Sequence, residues 1–160
     1  MNNEKETYLT FVLGQDVFAV NVKNVLEVLE KQQITKVPKA PEHILGIINF
    51  RGEILPVVDT NLKFNRNGTS EEHQNIMIVY ILGQSDHFFS IAGTADGVKD
   101  VIEIGQEEIK PVPEMGLSYD ARFIVGVIKR DEKFILLIQP EKVFSVSDTE
   151  IAIQVEAVNQ

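Results

Sequence analysis

Few side chains in this sequence are placed to do chemistry. The three histidines, His43, His73 and His87, share no short spacing of the H-x-x-x-H kind that a metal centre needs. Each reads first as a surface or strand-edge residue. Cysteine is absent, which removes thiolate catalysis and disulfides together. The serines, Ser70, Ser85, Ser90, Ser118, Ser145 and Ser147, never occur in a G-x-S-x-G elbow. Glu53 and Asp59 are the nearest candidates for an acid–base pair. On one strand they share a face but stand about 20 Å apart, at about 3.3 Å per residue. Two carboxylates acting on one bond need roughly 5–9.5 Å. The glycine-rich "GTADGVKD" (93–100) fails as a phosphate loop because Val98 follows Gly97 and Asp100 follows Lys99, so it reads as a turn. The N-G-T triplet at Asn67 is a sequon without consequence unless the chain is secreted. The expectation is a protein that is not an enzyme and carries neither metal nor cofactor.

Binding is the remaining function class, and composition narrows it. With 15 basic against 24 acidic residues and a net charge of −9, the 160-residue chain lacks the clustered lysine and arginine that nucleic acid or an anionic membrane surface demands. The N-terminus, "MNNEKETYLTF", has no basic region followed by an apolar stretch. No apolar run approaches the roughly 20 residues of a membrane span. A cytoplasmic protein is expected, and the acidic balance by itself identifies no partner.

The elements that must position a binding surface are strands. "YLTFVLG" alternates in the two-residue period of a half-buried strand, and "NIMIVYILG", "HFFSIAG", "VKDVIEIG", "FIVGVIKR" and "KFILLIQ" follow in the same style. "IMIVYIL" lacks clean alternation and is expected to be covered on both faces. Helical signals are brief: one turn opened by Asn21 in "NVKNVLEV", and proline-led turns in "APEHIL" and "QPEKVF". Asp59 is placed to cap the short "TNLKF" turn. Pro56 is expected at a sheet edge or bulge, where its missing N–H is tolerated. The class is all-β with a few short helices.

The segment 13–28 resembles 82–104, and 44–64 resembles 124–144, in the same order. The chain therefore reads as two copies of one β-rich unit within a single domain over residues 7–145. A polar linker over 65–74 joins the copies, and a C-terminal tail spans 146–160. Each copy is near the lower size limit for a core of its own, so the copies are expected to pack together and leave a groove between them.

One segment stands apart from this scaffold. In "ILGIINFRGEILPVVD" (44–59) an arginine sits at the hinge of an apolar hairpin where Gly52 already supplies the turn. The pattern formed by Gly46, Asn49, Arg51, Gly52, Pro56 and Asp59, with "YLTFVLGQDVFAVNV", "VLEV" and "GVKDVIEI", resembles the CheW family of chemotaxis coupling proteins over nearly the whole chain. Phe50 stands where the family usually has leucine, and Thr60 where leucine is common. The resemblance implies two packed, SH3-like, five-stranded β-barrel subdomains. It implies an adaptor that bridges the cytoplasmic tips of chemoreceptors, met in the inter-subdomain groove, to the regulatory domain of the histidine kinase CheA. The positions that match docking residues are Val25, Glu27, Gly46 and Arg51, with Val22 as an apolar neighbour. Read alone, Glu27 is a solvated charge, Gly46 a glycine at a bend or close approach, and Val25 either core or interface. The same adaptor role in another receptor–kinase array fits equally. A small acidic hydrolase with carboxylates converging in three dimensions is the reading from a different class.

Overall fold

The computed structural model describes residues 4–64, 75–84, 87–112, 121–145 and 148. Ten strands carry the fold: β1 (Lys5–Leu13), β2 (Asp16–Asn21), β3 (Val25–Glu30), β4 (Ile44–Phe50), β5 (Glu53–Val58), β6 (Ile76–Gln84), β7 (His87–Ala95), β8 (Gly97–Gly105), β9 (Ile124–Arg130) and β10 (Lys133–Ile138). Two single-turn helices, α1 (Thr60–Lys63) and α2 (Pro140–Val143), follow β5 and β10. The expected all-β class with few short helices is what is observed. The linker expected over 65–74, and the tail from 146 apart from Asp148, lie outside the described residues.

The strands form two five-stranded sheets, ordered β8-β1-β2-β10-β9 and β3-β6-β7-β5-β4. The repeat explains both orders. In each sheet the neighbours are antiparallel except at one junction, β2 with β10 and β5 with β7. Each sheet joins the copies twice, at this parallel junction and at an antiparallel one, β8 with β1 and β3 with β6. The first sheet takes β1 and β2 from the first copy and β8, β9 and β10 from the second. The second sheet takes β3, β4 and β5 from the first and β6 and β7 from the second. The two copies do not make separate lobes; they exchange strands.

The two sheets, and with them the two copies, pack together as expected. Among the described residues, the space between the sheets is filled by the largest core cluster. It includes Phe11, Leu13 and Phe18 from one sheet and Ile78, Tyr80 and Leu82 from the other. Phe18 stacks between Phe11 and Phe64, with centroids 5.7 and 5.3 Å away, and Phe64 leads on to Phe123 at 5.7 Å. Such offset pairs add to the area they bury. Each sheet also rolls round a smaller core: Ile48, Phe50, Leu55 and Met77 in the second, Tyr8, Ala19, Ile104 and Ile128 in the first. β6 accordingly alternates between two apolar surroundings, with Ile78, Tyr80 and Leu82 facing the shared core and Met77 and Val79 the smaller one. This is the two-sided cover that its unbroken apolar run predicts.

Local signals were met in most places. Asn21 caps a 3-10 turn at Val22–Asn24 by accepting from Lys23 N–H, Asp59 caps α1 through Leu62 N–H, and Pro140 opens α2. "APEHIL" makes only one turn, with Ile44 N–H donating to Pro41 O at 2.9 Å, before β4 begins. Pro56 lies on a strand interior to its sheet, but at a point where β5 is paired with β4 alone, so its position is locally the edge expected of it. It is accommodated because the β5–β7 ladder starts only at Val57.

Candidate partner-docking site

β3 and β4 are the two edges of the second sheet, and the roll of that sheet brings them round towards each other. After β3, Thr35 exchanges both backbone hydrogen bonds with Ile47 of β4, at 3.0 and 2.8 Å. Gly46 makes this closure possible. Its φ is +150°, and a Cβ there would overlap Thr35 O and stand 2.6 Å from Ile34 Cγ2. Only glycine accepts both the conformation and the approach. Gly46 is therefore buried beneath residues 34–35, and its structural work is the closure of the sheet.

The β4–β5 hairpin carries Arg51 at its tip. Phe50 pairs with Glu53, leaving Arg51 and Gly52 as a two-residue loop with φ values of 52° and 83°, the positive pair of a type I′ turn. Asn49 Oδ1 accepts from Gly52 N–H at 3.0 Å and fixes the loop. Arginine in the left-handed region costs about 1–2 kcal/mol, so this residue is not chosen for the turn. Its guanidinium lies 4.9 Å from the Phe50 ring centroid, and Nη2 donates to Glu27 Oε1 at 2.5 Å. The Arg51 side chain nonetheless remains 69% exposed. The ion pair joins the two edges of the rolled sheet and leaves most of the donor fork open to a partner.

β3 supplies the apolar part. Its start is held by Asn24, whose amide donates to Ile81 O at 3.1 Å and to Glu141 of α2 at 3.0 Å. A bulge between Val25 and Glu27 makes Leu26 the extra residue. Val25 is half-buried against the shared core. Val22, Leu26 and Val28 are exposed at 37, 45 and 38%. Of the residues expected at the site, the structure joins Glu27 to Arg51, leaves Val22 exposed, turns Val25 partly inward and buries Gly46. Leu26 and Val28 were missed. Their signal was the apolar alternation "VLEV" on a strand whose edge position sequence does not show.

The second copy repeats the scaffold without the same tip. Lys110 bridges Val127 as Thr35 bridges Ile47, and Gly126, against Ile109 and Lys110 O, stands where Gly46 does. The β9–β10 loop is Asp131–Glu132, both at positive φ. The nearby arginine, Arg130, is bound through Nε and Nη2 to Glu108, each at 3.0 Å, with Nη2 also donating to Glu103 O. Its fork is occupied from within.

Nothing in the described residues assembles a reactive centre. Glu53 is exposed at the start of β5, while Asp59 is 2% exposed and engaged in capping, so the two do not face each other. Among the described residues no group of three or more metal-ligating side chains gathers, and no helix is long and apolar enough to cross a membrane. His43 binds Asp148, His87 is exposed at the start of β7, and His73 lies outside the described residues.

Comparison with known proteins agrees with this architecture. The chain is 31% identical over 143 residues to the chemotaxis protein CheW of Helicobacter pylori, covering 89% of this chain and 83% of that one. It is 29% identical over 140 residues to the chemotaxis protein CheW of Klebsiella aerogenes, covering 88% and 82%. The crystal structure of the scaffolding protein TtCheW from Thermoanaerobacter tengcongensis superposes with a TM-score of 0.75 at 29% identity, over 92% of this chain and 97% of that one. Residues 7–159 match the CheW-like domain, and the chain belongs to that family.

Proposed function

We propose that this protein is a non-catalytic adaptor of chemotaxis signalling arrays that couples chemoreceptor cytoplasmic tips to the regulatory domain of the histidine kinase CheA. It acts in the cytoplasm and reaches the membrane through its partners. The observation that carries the reading is the exposed guanidinium of Arg51, fixed by a rigid hairpin and by Glu27 on an edge strand that also bears exposed Leu26 and Val28. Arginine beside apolar anchors is the composition of an interface centre, and a side chain held before docking loses less entropy on docking. A helical receptor tip fits such a surface by laying its apolar face on Val22, Leu26 and Val28, with charge at the rim. The roles of Val25 and Gly46 are then indirect: Val25 supports β3 from the core side, and Gly46 holds the closure that brings β4 to β3. The test is calorimetric titration of the protein with a receptor-tip fragment and, separately, with the CheA regulatory domain from the same cell. Saturable binding of both is expected. Binding of neither would overturn the adaptor reading.

A further inference from the structure

The hairpin of β6 and β7 reaches further than its counterpart in the first copy. β1 and β2 end their pairing at Leu13 with Asp16. β6 and β7 continue past the matching pair, Leu82 with Phe89, to Gly83 with Phe88 and Gln84 with His87. The two added pairs account for the insertion where 82–104 repeats 13–28. Phe88, on this extension, belongs to none of the core clusters. At 74% it is the most exposed large apolar side chain among the described residues. Its ring rests on Gly83, where a Cβ would stand 3.1 Å from Phe88 Cε1. The glycine seats the ring and restrains it before any partner arrives, which lowers the entropy lost on docking.

This seat is tied to the docking edge. Glu141 Oε2 accepts from Gly83 N–H at 3.3 Å and from Asn24 Nδ2 at 3.0 Å. The same Asn24 amide donates to Ile81 O at 3.1 Å. One carboxylate oxygen therefore holds Gly83 beside Asn24, the last residue of the turn that begins at exposed Val22. The exposed apolar residues Val28, Leu26 and Val22 run back along β3 to that turn, and Phe88 stands beyond their Val22 end. A helix laid on these residues is longer than the strand beneath it, so it continues past the start of β3.

We propose that Phe88 is a further anchor for the helical receptor tip, extending the docking strip from β3 onto the β6–β7 hairpin. The proposal rests on the assignment of that strip to a receptor helix. Calorimetric titration of the full chain with a receptor-tip fragment tests it, comparing Phe88→Ser with Phe134→Ser. Phe134 is the control because it is 63% exposed but lies on β10 in the other sheet. Each variant removes an exposed ring, so each should melt within about 2 °C of the wild type. Phe88→Ser should weaken receptor-tip binding about tenfold, and Phe88→Leu, which keeps an apolar side chain, by less. Phe134→Ser should leave that binding unchanged, and Phe88→Ser should bind the CheA regulatory domain as the wild type does. Wild-type receptor affinity in Phe88→Ser, or equal losses in the two serine variants, would overturn the anchor and leave the adaptor reading standing. A loss confined to the CheA domain would give Phe88 to the other partner and would also overturn it. A wild type that binds no receptor tip would instead overturn the reading on which the anchor rests.

Discussion

Replacing Arg51 by asparagine separates the turn role of this position from its binding role. Asparagine is a favoured type I′ turn residue, so the substitution recovers much of the roughly 1–2 kcal/mol that arginine forfeits at φ 52°. Against this, the variant loses an exposed ion pair with Glu27, about 0.2–1 kcal/mol, and an exposed cation–π contact with Phe50, about 0.5–1 kcal/mol. These changes nearly cancel, so stability should stay within about 1 kcal/mol of the wild type, a Tm shift of about 2–4 °C at most. Partner binding has no such compensation. Loss of the fork should weaken receptor or kinase association by about 2 kcal/mol, about thirtyfold. Arg51→Ala should show the same loss of binding, and Arg51→Lys only a partial rescue, because an ammonium keeps the charge without the planar donors. If Glu27 works by orienting Arg51, Glu27→Gln should weaken binding in the wild type and add little in the Arg51→Asn background. Circular dichroism reads the stability and titration calorimetry the affinities. Wild-type affinity for both partners in a folded Arg51→Asn variant would refute the reasoning and reduce Arg51 to a strained turn residue.

Gly46→Ala places a Cβ against Thr35 O and Ile34 at a φ that alanine resists, and should cost about 2–4 kcal/mol, read as a lowered Tm. Cleavage within residues 65–74 should leave halves with no cooperative melting transition when separated and a restored transition when mixed, because each sheet needs strands from both; a separated half that melts cooperatively would contradict this. Receptor binding should weaken only modestly between low and moderate salt, since apolar Val22, Leu26 and Val28 lie at its centre, and a steep loss would point to an ionic interface. Burial pushes the Asp148 carboxyl up, but Ser145 N–H, His43 and Lys63 outweigh burial and hold it below its ordinary value of 3.8. A carboxyl lowered by folding stabilises fully above its unfolded value and loses that contribution as pH falls through the folded one, so Asp148→Asn should flatten the acid limb of the stability curve below about pH 4.

What the sequence revealed follows the range of the forces involved. Caps at Asn21 and Asp59 and the two-sided burial of β6 depend on residues close in sequence, and all are found in place, whereas the turn expected within 93–100 is reduced to a single bend at Asp96 between β7 and β8. Pro56 meets the edge-like setting expected of it because β7 joins β5 only from Val57 onward, although no local pattern marks where that parallel ladder begins. Glu27 and Arg51 were both singled out, yet their contact was not foreseen. It links residues at opposite edges of a rolled sheet, and rolling depends on Gly46 lying under Thr35. Leu26 and Val28 were overlooked for the same reason, since an apolar strand residue is exposed only once its strand is known to be an edge.

Strand exchange also bears on why the proposed docking site falls in one repeat rather than the other. Both copies close their sheet by the same means, a glycine under a returning strand and a two-residue hairpin at positive φ. A closure of that kind gives each hairpin tip a fixed position beside an edge strand, so either tip could have carried a docking group. In the second copy the arginine stands one residue before the loop and is consumed by Glu108 and Glu103 O, while the loop itself is acidic. In the first copy the arginine occupies the loop at a conformational cost and meets a single carboxylate. A residue held against its backbone preference, with most of its donors still exposed, has no structural explanation in the hairpin alone. On the proposed reading a partner that takes up those donors supplies one, and the asymmetry between two otherwise matching tips favours the first copy as the docking side.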